Sequence, residues 1–226
     1  MTEKKITAIQ AQKRNPDRVS IDLDGEFAFG LSRIVAAWLK IGDLLSEEKI
    51  SSLKNSDTTE VAFQKALHLL DYHPRTEKEI RQRLTQKGFE LDEIEIVITR
   101  LRNANLVQDQ QFARMWVENR NEYHPRSQRL MRYELRNKGV SDVLIDNAMA
   151  DSADDVDLAT RAATKHARKL TGSDWLEFRK RLSAFLARRG FSYGTIAPVV
   201  QSVWNSVYLD PSANQENEDN ENGKSN

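Results

Sequence analysis

No cysteine occurs among the 226 residues, which excludes disulfides, thiolate zinc sites and a cysteine nucleophile. Histidine is scarce. His68, His73, His124 and His166 show no ligand-like clustering, so no metal is expected. No apolar run approaches the roughly 20 residues that a membrane-spanning helix needs. The N-terminus, from Met1 to Ile6, leads into alternating residues and lacks the apolar stretch and small-residue cleavage site of a signal peptide. The expectation is a cytoplasmic chain. The glycine-rich loop of nucleotide hydrolases, Gly-x-Gly-x-x-Gly, His-Glu-x-x-His and the nucleophile elbow are all missing. No catalytic residue and no cofactor are therefore expected.

What is present is a charged chain, with 39% hydrophobic and 30% charged residues, suited to a surface-rich helical protein better than to an enzyme with a deep interior. Net charge is zero, but the balance is uneven. Beyond Leu209 five acids (Asp210, Glu216, Glu218, Asp219 and Glu221) stand against Lys224 alone, so the tail carries minus four and the body plus four. Residues 209–226, rich in Asn, Glu, Asp and Gln, cannot bury enough apolar surface to offset ordering entropy and read as a disordered acidic tail.

Residues 1–57 read as a small module. Ile6 and Ala8, then Val19, Ile21 and Leu23, alternate with polar residues as in strands. Asn15-Pro16-Asp17 reads as a turn, and Asp24-Gly25 supplies the positive φ of a tight hairpin. A three-stranded meander results, packed on following helices because such a sheet is marginal by itself. Ser32 is placed to cap a short helix carrying Ile34, Val35, Trp38 and Leu39, and Ser46 another. Lys54 to Thr58 reads as a polar linker.

Laid on itself at an offset of 51, the chain brings Tyr72-His73-Pro74-Arg75 onto Tyr123-His124-Pro125-Arg126, and Gly88 onto Gly139 and Gly190. Three three-helix repeats follow, at 58–108, 109–153 and 154–208. In each, the second helix buries a pair at i and i+4 (Ile80 with Leu84, Met131 with Leu135, Leu182 with Leu186) and stops at the glycine, followed by Phe89, Val140 or Phe191. Thr76-x-x-Glu79 is a capping box. The third helix shows Ile94, Val97, Ile98 and Leu101 at i, i+3, i+4 and i+7, with counterparts at Ile145 and at Ile196, Val199, Val200 and Val203. The fold class is mainly α, an elongated array of three tandem repeats preceded by the β module, and such arrays serve binding. Sequence leaves its hand open.

Cations form columns on this array. Lys78, Arg129 and Lys180 share one repeat position; in the first two repeats it lies in a helix's opening turn, where a cation opposes the helix dipole by up to about 1 kcal/mol. Arg81 and Arg132 follow one turn later, and the third repeat is denser, with Arg179, Lys180, Arg188 and Arg189. Two readings stand side by side: a solvated helix face, or a surface for an anionic partner, whether a phosphate backbone or an acidic protein groove. Lys87, Lys138 and Arg189 adjoin C-terminal glycines, where stability alone explains a cation. In the Tyr-His-Pro-Arg segments the tyrosine is expected to pack, the proline to fix a helix entry, and Arg75 and Arg126 to be exposed. Trp116, Trp175 and Trp204 fall at core-facing spacing and read as packing residues, with base stacking as the alternative.

The run from Tyr72 through Glu79, Leu84 and Lys87-Gly88-Phe89, then Leu106-Val107-Gln108-Asp109, Phe112-Ala113, Trp116-Val117, Arg120, Pro125, Leu130, Glu134-Leu135 and Lys138-Gly139-Val140 resembles the bacterial RecX regulators. Asp24 to Gly30 resembles the extension of their longer members, and Gln108 departs where the family often has an acid. The resemblance implies a non-enzymatic modulator in recombination, DNA repair and the SOS response. Such a regulator binds the RecA filament on single-stranded DNA and restrains its growth, ATPase and strand exchange. A monomer is expected, and direct contact with the DNA is left open. The resemblance carries no contact residue, so the candidate partner-binding or DNA-binding residues are the basic stripe: Lys78, Arg81, Arg129, Arg132, Arg179, Lys180, Arg188 and Arg189. A stand-alone nucleic-acid-binding repeat protein is the alternative.

Overall fold

The computed structural model describes residues 3–209; the acidic tail inferred from composition lies outside these. The chain divides into two compact units, residues 1–108 and 109–226.

Unit 1 begins with an antiparallel sheet of β1 (Lys4–Gln12), β2 (Asn15–Leu23), β3 (Glu26–Ser32) and the two-residue β4 (Leu44–Leu45), in the order β3-β2-β1-β4. The fourth strand went unread because two residues carry no periodicity. Gln12 pairs with Asn15, so the first turn is Lys13-Arg14 and not Asn15-Pro16-Asp17. Pro16 falls among the opening residues of β2, where a proline is tolerated. The second turn is as expected: Asp24 and Gly25 have φ of 54° and 94°, the paired positive values that suit the twist of a hairpin. Asp24 Oδ1 also accepts from the Lys5 N–H at 3.0 Å. Ile6, Val19, Ile21, Leu23, Phe29 and Leu31 point to one side and form a core with Ala36, Leu45 and Leu53.

Helix α1 (Arg33–Ala36) is a single turn. The Ser32 side chain makes no capping bond to it, and Trp38 lies beyond it, 89% exposed. Helix α2 (Glu47–Tyr72) starts at Ser46, whose side chain accepts from the Lys49 N–H, and runs unbroken through Lys54–Thr58, correcting the linker reading. The cause is Asp57. Its carboxylate accepts from the Arg18 guanidinium at 2.7 Å and the Ser32 N–H at 2.6 Å, so the polar stretch is where the helix is tied to the sheet. Helices α3 (Glu77–Thr85) and α4 (Leu91–Asn103) close a second core in this unit around Ala62, Phe63, Ala66, Ile80, Leu84, Ile94, Val97, Ile98 and Leu101.

Unit 2 holds α5 (Asp109–Glu122), α6 (Gln128–Asn137), α7 (Asp142–Met149), α8 (Asp155–Ala167), α9 (Trp175–Arg188) and α10 (Tyr193–Trp204). One continuous core runs through both of its repeats, from Phe112, Met131 and Leu135 to Leu158, Phe178, Leu186 and Val200. Trp116, Trp175 and Trp204 pack half-buried against it.

Local chemistry sets the helix ends. The Thr76–Glu79 capping box is formed in both directions, an arrangement worth about 1 kcal/mol. Gly88, Gly139 and Gly190 have φ of 85°, 87° and 87°. In each case the following residue's N–H returns to a carbonyl five positions back, at Leu84, Leu135 and Leu186, completing a Schellman stop.

Candidate functional site

In repeat 1 three arginines, Arg81, Arg100 and Arg102, are matched by acids. The Arg102 guanidinium forks onto Glu77, with Nε and Nη2 donating at 2.9 and 2.8 Å. Arg81 reaches the same Glu77 at 3.4 Å and also pairs with Glu95. Burial pushes the Glu77 carboxyl up, but Arg102 and then Arg81 outweigh it and hold the group below its ordinary value. Arg100 donates to the buried Glu60 at 2.5 Å while its guanidinium covers the Phe63 ring at 3.6 Å. A groove of about 790 Å³ beside α2 is lined by Arg33, Lys65, His68 and Lys87 together with Arg18 and Glu60, the last two already paired elsewhere.

Unit 2 is arranged differently. Glu134, on the inner side of α6, accepts from Trp116 Nε1 at 3.0 Å and Arg120 Nε at 3.4 Å, and pairs with Arg126. The Arg120 guanidinium lies 4.1 Å over the Trp116 ring, with Lys138 Nζ 4.7 Å from the same ring centre. Arg189, at the end of α9, enters the group from the third repeat. Its Nη1 donates to the Pro125 carbonyl at 3.1 Å, and its own carbonyl accepts from the Ser127 N–H at 3.0 Å. Gly190 permits this approach, since a Cβ there would stand 2.6 Å from Ser127 Oγ and 2.8 Å from Leu130 Cβ. The Arg189 guanidinium covers Phe185 at 4.4 Å, and His166 stacks on that ring at 3.8 Å.

Three guanidinium groups from two repeats thus gather on one seam, and among the described residues Glu134 is the one carboxylate there, paired with Arg120 and Arg126 but not with Arg189. Their electrostatics register the imbalance. Burial first, then the positive charges of Arg120 and Arg189, lowers Arg126 from its ordinary value; burial, Arg120 and Arg188 do the same to Arg189. The imidazole of His166 is pushed down by burial and by Lys169, Arg189, Arg188 and Arg181. Among the described residues the seam thus carries more positive than negative charge.

The stripe residues fall into two sets. Arg81 is held by Glu77 and Glu95, Arg132 pairs with Asp146, and Arg189 belongs to the seam. Lys78, Arg129, Arg179, Lys180 and Arg188 present exposed side chains. The Tyr-His-Pro-Arg expectation is corrected at both ends: Tyr72 and Tyr123 are 72% and 54% exposed. Arg75 is half-buried, donating to the Leu69 carbonyl at 3.0 Å, and Arg126 is half-buried against Glu134. Arg120, Arg126 and Glu134 were absent from the sequence-derived site. The repeated Pro-Arg was the available signal, and it was read as structural.

A helical-repeat protein with cation-rich faces is the class this fold and site define. Residues 4–46 match the regulatory protein RecX N-terminal domain, and residues 62–101, 109–149 and 153–200 match the RecX first, second and third three-helix domains. The regulatory protein RecX of Clostridium perfringens (strain SM101) is 32% identical, with 91% of this chain and 99% of that protein covered. The RecX of Bacillus subtilis is also 32% identical, covering 88% of this chain and 76% of its own. A crystal structure of a regulatory protein RecX superposes with a TM-score of 0.68 at 26% identity, covering 88% of this chain and 99% of the other. The chain belongs to the RecX family of regulatory proteins. No helix among the described residues is long and apolar enough to cross a membrane.

Proposed function

We propose that this protein binds the RecA recombinase filament on single-stranded DNA and restrains its growth, ATP hydrolysis and strand exchange, acting as a cytoplasmic monomer without catalysis or cofactor. The observation that carries the reading is kinship with relatives named regulatory protein RecX over nearly the whole chain. The exposed cations Lys78, Arg129, Arg179, Lys180 and Arg188 supply a surface for an acidic groove or a phosphate backbone, and the seam supplies further positive charge. The test adds the purified protein at substoichiometric dose to recombinase filaments on single-stranded DNA and follows ATP hydrolysis and strand exchange. Suppression of both is expected; no effect on either ends the proposal.

The cation excess at the seam gives a second reading its footing, that of a nucleic-acid-binding protein acting alone. It requires tight, steeply salt-dependent DNA binding without recombinase. The modest charge of the body, plus four, weighs against it.

A further inference from the structure

We propose that the seam between the second and third repeats is a phosphodiester-binding site for single-stranded nucleic acid, formed by Arg120, Arg126 and Arg189 around Glu134. This deepens the regulator reading by assigning to named residues a direct contact with the strand.

Charge and geometry come first. Glu134 accepts from Arg120, Arg126 and Trp116, so its oxygens are already engaged, and Arg189 has only a carbonyl, Pro125 O, as its hydrogen-bonded acceptor. Three positive charges against one negative leave a surplus of two, held in place by backbone pairing and by aromatic contacts to Trp116 and Phe185. A guanidinium offers five N–H donors in a planar fork, and a phosphate presents several oxygens that neighbouring guanidiniums can share. The arginines are restrained before any ligand arrives, which lowers the entropic cost of binding.

The second observation favours nucleic acid. Tyr123 lies two residues before Pro125 and Tyr193 three residues after Gly190; the two residues are 54% and 75% exposed, the Tyr123 hydroxyl interacting with Glu122. Exposed aromatic residues that flank surplus cations along the chain supply what a single strand needs, rings for bases and cations for the backbone.

Glu134 is the internal competitor of the incoming phosphate. Removing its charge should therefore tighten anion binding by more than the small gain that the change in net charge alone gives. Labelled single-stranded DNA is titrated by fluorescence anisotropy with the full chain at several salt concentrations, without recombinase, and folding of each variant is followed by thermal melting. Glu134→Gln is expected to bind severalfold more tightly than the original chain. The double variant Arg126→Gln with Arg189→Gln is expected to bind about tenfold more weakly, its salt slope smaller by roughly two, and Tyr123→Ala with Tyr193→Ala to weaken binding at unchanged slope. If the double variant loses its cooperative melt, the decision rests on Glu134→Gln. Equal or weaker binding by Glu134→Gln, wild-type binding by a folded double variant, or no binding by the original chain overturns the proposal. Should the double variant bind DNA normally yet fail to restrain recombinase filaments, the cations serve an acidic protein surface; this proposal then falls and the regulator reading stands. An unaffected filament with the opposite-signed DNA responses intact sinks the regulator reading alone.

Discussion

Repeat 1 and the seam of unit 2 use the same residue types to opposite ends. In repeat 1, Arg81, Arg100 and Arg102 each meet a carboxylate from Glu60, Glu77 or Glu95, and the charge is consumed within the fold. At the seam, among the described residues, Arg120 and Arg126 share Glu134, and Arg189 beside them is hydrogen-bonded to the Pro125 carbonyl instead of to a carboxylate. Counting cations would rate the two alike; counting their partners separates them. A surplus that the fold holds without neutralising is the stronger pointer to a ligand, because the mutual repulsion has to be offset by other contacts.

The glycine stops sharpen the comparison most. Gly190→Ala introduces a Cβ into Ser127 and Leu130 at a positive φ, and should destabilise the protein by about 2–4 kcal/mol in chemical denaturation. Gly88→Ala meets nothing within 4 Å, so only the backbone penalty applies, about 1 kcal/mol. Equal losses at the two sites would break the claim that the seam is a tight junction. Between these lies the DNA affinity of the Arg126→Gln, Arg189→Gln chain, whose tenfold loss corresponds to about 1.4 kcal/mol.

Acid should distinguish the two charge networks as well. His166 is depressed in the fold, so the unfolded chain takes up a proton that the folded one resists. Stability from this source is full above about pH 6.5 and declines as pH falls through the ordinary histidine range. Glu77 is depressed as an acid, so its contribution persists above the ordinary carboxylate range and is lost only as pH falls through and below it. Melting temperatures between pH 8 and 4 should therefore begin to fall in the histidine range, and His166→Phe should flatten that part of the curve while leaving the later decline. A curve unchanged by His166→Phe would contradict the assignment. The smallest stability effect belongs to the stripe. Replacing the exposed Arg129, Arg179, Lys180 and Arg188 by alanine should leave the melting temperature nearly unchanged, since exposed charges contribute about 0–1 kcal/mol, while weakening filament inhibition. Unaltered inhibition would return these residues to a solvated face.

Helix punctuation was legible because it is local: Thr76 with Glu79, Ser46, and the three glycines act on neighbours within five residues. The buried pairs of the second helices were legible for the same reason, their spacing following from the helical period. What escaped depends on distant partners. Asp57 looks like part of a polar linker until Arg18, 39 positions away, is placed beside it. Arg126 looks exposed until Glu134 turns inward from the next helix, and Arg189 reaches Pro125 across 64 positions. The tyrosines misled in the other direction: repetition suggested packing, whereas Tyr72 and Tyr123 face solvent.

The most direct test of the central claim is ATP hydrolysis by recombinase filaments on single-stranded DNA, with the original chain and the Arg126→Gln, Arg189→Gln chain compared at equal substoichiometric dose. The original should suppress hydrolysis and the seam variant should suppress it several times less. Unchanged hydrolysis with the original chain, or equal suppression by both, would contradict the account.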